Sequence, residues 1–335
     1  MKPIIKQSNK KAAFTPLEKK PHPLGVVRKR GGGIESHPSF LTGFTIVELL
    51  TVMSIIVILI GLLVPALSTV KKFAQEVKQK AQFKSIDVAI ELFNTEFSSY
   101  PESSEMGPDN QPYCGAMKLC EAMMGQDLMG FHPDSIFRSD GSDGTKLLYP
   151  PADSVTLQQY SDNLSMRKRY LPAENVDAFL LGDLYADTGL FAENHFVLCD
   201  VYRNVTHRVT GKRVGMPILY YRANAANNLH DIENPNNTNN IYNYRDNQLL
   251  IALGMPWDPS SSGTDGSGGT SGSSHRLLDP KRFYLNTQNF KVTTTSRPFK
   301  EDSYILISAG FDGEYGTPDD ICNFDWKYQE YQNQN

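Results

Sequence analysis

Cysteine and tryptophan are scarce in this chain, at four and two residues in 335. The cysteines, Cys114, Cys120, Cys199 and Cys322, include no C-x-x-C pair, which argues against a zinc site. No nucleophile elbow, Walker-type loop, H-E-x-x-H or dinucleotide fingerprint occurs, so nothing points to an enzyme. His195, His207 and His230 are scattered without the spacing of a ligand set. Acidic residues are nearly missing from residues 1–43, where nine Lys/Arg face only Glu18 and Glu35, a balance of +7. The whole chain carries −4, so residues 44–335 carry −11. The basic stretch has no aromatic interleaving and no second basic patch, so no nucleic-acid partner is expected.

A long apolar run occurs once. From Phe44 to Val64 there are 21 residues, and Glu48 is the only ionisable one. As a helix rising about 1.5 Å per residue, that length spans a bilayer. A carboxylate inside such a segment costs a few kcal/mol and needs a partner. Were the chain cut between Gly43 and Phe44, the new amine of Phe44 would lie one helical turn from Glu48, or beside the Glu48 of a neighbouring copy. The two charges would then neutralise each other in a packed filament core. An ordinary signal peptide fits less well, because its apolar region is shorter and ends in an A-x-A-like site. The basic residues before the run and the acidic ones after it fit the positive-inside orientation.

Gly43, Phe44, a glutamate at the fifth place after the cut and Pro65 at the twenty-second together resemble the type IV prepilin family, which includes the pseudopilins of type II secretion. The resemblance implies cleavage after Gly43 by a prepilin peptidase, N-methylation of Phe44 and polymerisation through the helix into a pseudopilus or pilus. It also implies an inner-membrane assembly platform as partner. The precursor would be a single-pass inner-membrane protein with its head in the periplasm. The leader is long for that family, and Thr42 replaces the usual basic residue before Gly43.

Beyond Pro65 the pattern turns amphipathic. Leu67, Val70, Phe73, Val77, Ala81, Ile86, Ile90, Phe93 and Phe97 recur at three- and four-residue steps, so this face is expected to pack on a domain. Phe44–Phe97 would form one helix about 81 Å long, with 44–64 in the membrane and 65–99 as its amphipathic half. Ser99-Tyr100-Pro101 ends it. Residues 100–335 are expected to form a head of α+β class, a small antiparallel sheet packed on the long helix. Helices are predicted over Gly115–Gly125 and Glu174–Tyr185. Strands are predicted at His195–Tyr202, Ile218–Tyr221 and from Ser303. Asp140–Gly144 reads as a solvated turn, and the Ser/Gly/Thr/Asp tract at 258–275 as a flexible loop. All four cysteines follow the apolar run, where an oxidising compartment permits two disulfides in any of three connectivities. Cys114 and Cys120 on one helix would stand about 9 Å apart along its axis, too far for a bridge.

A second stretch carries chemistry. After the strand Ser303–Gly310, Asp312, Glu314, Asp319 and Asp320 crowd into nine residues with interspersed glycines. Such carboxylates repel one another unless a cation holds them, and calcium takes roughly six to eight oxygen ligands of this kind. The spacing is not that of an EF-hand. It is similar to the C-terminal calcium loop of major type II pseudopilins, across residues 308–321. By that resemblance Asp312, Asp319 and Asp320 are side-chain ligands of a structural calcium, with carbonyls near Ser308 and Ile321 completing the shell. The expected function is therefore a structural subunit of a type II secretion pseudopilus. A minor type IV pilin and a calcium-dependent surface-binding tip are the alternatives.

Overall fold

The computed structural model describes residues 45–258 and 275–325. The cleavage site, Gly43 and Phe44, and most of the Gly/Ser tract lie outside them. The chain divides into two units, residues 1–58 and 59–335.

Helix α1 spans Ile46–Phe97 and continues through Pro65. Its residues 46–64 are all exposed. Among the described helices it alone is long and apolar enough to cross a membrane. Hydroxyls within this stretch are satisfied by the helix itself. Thr51 Oγ1 donates to the carbonyls of Val47 and Glu48, and Ser54 Oγ to that of Thr51, the arrangement an apolar solvent demands.

The buried stripe of α1 starts later than the sequence pattern suggests. It consists of Gln79, Gln82, Phe83, Ile86, Ala89, Ile90 and Phe93, a three- and four-residue periodicity that defines one face. Leu67, Val70, Phe73 and Val77, expected to pack on the head, are instead 50–65% exposed. Two glutamines take over where apolar residues were expected because they meet backbone: Gln82 reaches the carbonyl of Cys199 and Gln79 the amide of Val201. At the far end Phe93 sits among Phe97, Phe131 and Tyr170, with ring centres 4.5–5.5 Å apart.

The head is α+β, built of small antiparallel sheets. Helix α2 (Gly115–Met124) has every residue buried. It packs on strands β2 (Phe196–Cys199) and β5 (Leu219–Arg222). Met117, Met123 and Met124 are core filler, as their helical spacing suggested. Its buried Glu121 accepts hydrogen bonds from Tyr113, Gln126, Ser135 and Tyr149. Helix α3 (Leu157–Met166) starts in a Thr156/Gln159 capping box that the sequence pattern did not bring out, since none of its residues is buried.

The helix expected over Glu174–Tyr185 is divided between a four-residue strand and a single helical turn. β1 (Asp177–Leu180) pairs antiparallel with β2, Asp177 facing Cys199 and Leu180 facing Phe196, and only the single turn α4 (Leu181–Leu184) is helical. Sheet pairing with β2 outweighs a local periodicity too short to sustain a helix. The strand expected from His195 to Tyr202 is correspondingly shorter and lies in this two-stranded sheet. A second small sheet joins β3 (Val205–Thr206) to β4 (Arg213–Val214). The central sheet has the order β5, β6 (Tyr304–Ser308), β7 (Ile321–Cys322). β6 is buried throughout. Helices α5 (Gln248–Ala252) and α6 (Pro280–Thr287) complete the head, α6 capped by Asp279 with Pro280 at its first position.

The four cysteines are buried free thiols. The disulfides allowed by their even number are not formed in this structure. Cys114 and Cys120 do lie on one helix, as its N-cap and a core residue. Burial raises the pKa of all four thiols, that of Cys114 to about 12, which disfavours the nucleophilic thiolate.

Candidate functional site

Two places bear on function, the start of α1 and the acidic loop between β6 and β7.

Thr45 is the residue before α1, and Glu48 is the third residue inside it. The Thr45 amide and hydroxyl both donate to Glu48 Oε2 at 2.8 Å, and the Glu48 amide donates to Thr45 Oγ1 at 3.2 Å. This is a capping box, which satisfies orphan amides at a helix N-terminus and places an anion at the positive end of its dipole. Glu48, read from the sequence as a carboxylate in search of a partner, has one in its own chain. The signal for this partner is local in the sequence, T-x-x-E ahead of an apolar run.

In the acidic loop, β6 delivers Ser308, whose hydroxyl donates to the buried Asp200 at 2.8 Å. Ser308 and Ile321 are register partners across β6 and β7, so both flank the closed end of the loop. Gly310 turns the chain at φ 65°, where a Cβ would collide with the carbonyl of Asp319. Asp319 Oδ2 then accepts the amides of Phe311 at 2.6 Å and Asp312 at 2.9 Å, and its Oδ1 accepts the Thr317 hydroxyl at 2.7 Å. Asp312 Oδ1 accepts the amide of Glu314, and Asp320 Oδ2 that of Gly316. The other oxygen of Asp320 is buried with no hydrogen-bond partner. Glu314 faces Arg276, with 3.3 Å between them.

The electrostatics follow from this crowding. Desolvation pushes the Asp320 carboxyl well above the usual carboxylate range. Desolvation, with the neighbouring Asp319, raises Asp312 to about 6. Burial also acts against ionised Asp319, but the donors Thr317, Asp312 and Phe311 outweigh it and hold that group low. Two carboxylates in contact with opposite shifts are the arrangement in which one proton or one cation serves both.

Residues that sequence reasoning passed over hold the loop in place. Asn204, part of an incidental sequon, donates from Nδ2 to the Gly310 carbonyl at 3.1 Å. Buried His275 accepts the Tyr315 amide at Nδ1, and its Nε2 faces the Gly254 carbonyl at 3.1 Å. Trp257 packs over Gly313. None of these has a short-range sequence signal, because each meets the loop from a distant segment.

As a set, Asp312, Asp319 and Asp320 fit a hard cation in donor type, and the orphaned Asp320 oxygen is what such an ion would satisfy. Among the described residues, no three acidic, histidine or cysteine side chains converge as a metal-binding group. His195, His207 and His230 serve the fold separately: His195 meets the Ser139 carbonyl, His207 caps its own turn, and His230 meets the Tyr284 carbonyl. The Asp140–Gly144 segment is a turn closed by its own carboxylates, with Asp140 accepting the Ser142 amide and Asp143 that of Thr145. Comparison of the chain with known protein families, with curated proteins and with solved structures finds no match to any of them.

Proposed function

We propose that this chain is a structural subunit of a type II secretion pseudopilus, processed after Gly43 and polymerised through α1. The observation that carries this reading is Glu48, a single carboxylate at the head of an exposed apolar helix, held by Thr45 one residue beyond Phe44. On cleavage, the new Phe44 amine of the same or a neighbouring subunit would replace or share the Thr45 donors to Glu48. Exchanging a neutral local bond for a charge-assisted one favours the assembled state inside an apolar core, where a carboxylate has few other partners.

Calcium, when bound, supplies positive charge to the loop of Asp312, Asp319 and Asp320. The chain's own part is to gather the oxygens by the Gly310 turn, the amides of Phe311 and Gly316, and the β6–β7 pairing. The ion's role is structural, closing the loop on the central sheet.

Coexpression with a prepilin peptidase tests the reading. A product beginning at Phe44 and one methyl group heavier than the unmodified chain supports it. Recovery of the uncut chain alone, from cells that process a known prepilin, overturns it. Calcium is tested separately, by a chelator that lowers the melting temperature of the detergent-solubilised chain and leaves an Asp312→Ala/Asp319→Ala variant unaffected.

A further inference from the structure

Between the end of α1 and the asparagine-rich segment 223–247 lies a cleft of about 920 Å³, remote in sequence from the acidic loop. From the chemistry of its walls we propose that this cleft binds a neutral carbohydrate.

Its rim is fixed before any ligand arrives. Asn227 Nδ2 spans the carbonyls of Thr238 and Asn240 at 2.9 and 2.8 Å, and Asn236 Oδ1 accepts from both Tyr244 and Arg245 at 3.0 Å. Asn227 Nδ2 and Asn236 Oδ1 are therefore committed to the rim. Other groups facing the cleft are not. Among the described residues, the side chains of Asn94, Glu102 and Arg222 make no hydrogen bond, and Asn243 uses only its oxygen. All four are partly or fully exposed. Together they offer a carboxamide, a carboxylate, a guanidinium fork and an amide nitrogen, which suit pairs of adjacent hydroxyls. Tyr100 lines the same cleft. Its hydroxyl donates to Glu91 at 3.2 Å and its ring packs edge-on against Tyr304, so its orientation is set.

Competing ligand classes fit less well. A protein partner needs an apolar anchor point, and no large hydrophobic side chain is exposed among the lining residues. Strand addition along β5, an edge of the central sheet, is blocked. Asn247 Nδ2 donates to the Tyr220 carbonyl at 2.7 Å, and Ser103 Oγ accepts the Arg222 amide at 2.9 Å. An anion would meet Glu102 and Asp302 beside Arg222 and Arg245, with the buried Asp246 behind them, a set that gives phosphate no net attraction. A polyhydroxylated ligand offers hydroxyls to these open polar groups and a flat C–H face to Tyr100.

The full chain in detergent is titrated calorimetrically with maltotetraose, cellotetraose and chitotetraose, and with tetra-alanine and inorganic phosphate for comparison. Saturable binding of at least one tetrasaccharide, weakened roughly tenfold or more by Arg222→Ala and by Asn94→Ala, is expected. Arg222→Lys, which keeps the charge and loses the fork, should weaken binding with the melting temperature unchanged, and Lys78→Ala on the exposed side of α1 should have no effect. The proposal is overturned if no tetrasaccharide binds, if binding survives Arg222→Ala, or if only tetra-alanine or phosphate binds in an Arg222-dependent way. None of these outcomes bears on processing at Gly43.

Discussion

Gln82 donates from Nε2 to the carbonyl of Cys199 at 2.8 Å, joining α1 to a strand 117 residues away. One turn earlier, Gln79 Oε1 accepts the Val201 amide at 2.9 Å. The long helix is thus registered on the head by two side-chain amides that read main-chain groups at the end of β2. An apolar face alone would permit sliding, whereas these bonds fix one position.

Gln79→Leu and Gln82→Leu should each destabilise the head, and by a modest amount. Losing the bond leaves a backbone group unpaired, the buried Cys199 carbonyl or the part-buried Val201 amide, at a cost of up to about 1–3 kcal/mol. Each glutamine also has one buried unpaired atom, Gln79 Nε2 and Gln82 Oε1, whose removal offsets part of that loss. The net expectation is about 1 kcal/mol per substitution, measured by chemical denaturation in detergent; a stabilised variant would show that the orphaned atoms dominate.

Thr45→Val should fray the start of α1, because it removes both the N-cap oxygen and one of two donors to Glu48. Loss of an N-cap is worth about 0.5–2 kcal/mol. Hydrogen exchange at residues 46–48 should accelerate, and Thr45→Ser should restore slow exchange. Equal rates in all three proteins would deny the capping role.

Gly310→Ala should disorder the acidic loop. The position requires φ 65°, and an added Cβ would strike the Asp319 carbonyl, so strain and collision act together. A loss of more than about 2 kcal/mol is expected, together with loss of any calcium-dependent rise in melting temperature. Gly144, in the Asp140–Gly144 turn, where a Cβ meets only the end of Arg138 at 3.9 Å, provides the comparison; its φ of 92° also carries strain, so a larger loss at Gly310 reports the collision.

His275 should make stability depend on pH in a defined direction. Burial lowers its pKa from 6.5 to about 4. The unfolded chain takes up a proton below about 6.5 and the folded chain does not until about 4, so stability is full above the first value. It falls by roughly 3 kcal/mol as pH drops through that window. His230, also lowered to about 4 by burial, adds a term of the same sign. Asp200 and Asp246, raised by burial to about 8, act oppositely, gaining stability as pH falls from 8 towards 4. The whole-protein profile therefore mixes both signs, and the informative quantity is the difference between the native chain and His275→Asn. The variant should lose less stability between pH 6.5 and 4; parallel profiles would contradict the assignment.

Helices α1 and α2 could largely be read from the chain alone. One uninterrupted apolar run, a single carboxylate, the stop at Tyr100-Pro101 and the core of α2 are local patterns, and α1 and α2 form where those patterns lie. The acidic turn after β6 was equally visible, since closely spaced aspartates and glycines restrict a loop whatever surrounds it. Tertiary structure decided the rest. It made Asp177–Leu180 a strand because β2 was there to pair with it, and it left Leu67, Val70, Phe73 and Val77 exposed while burying Gln79 and Gln82. It also brought Asn204, Trp257 and His275 to the acidic loop. Periodicity reports which residues share a face; only the arrival of a partner from elsewhere in the chain determines whether that face is covered, and by what.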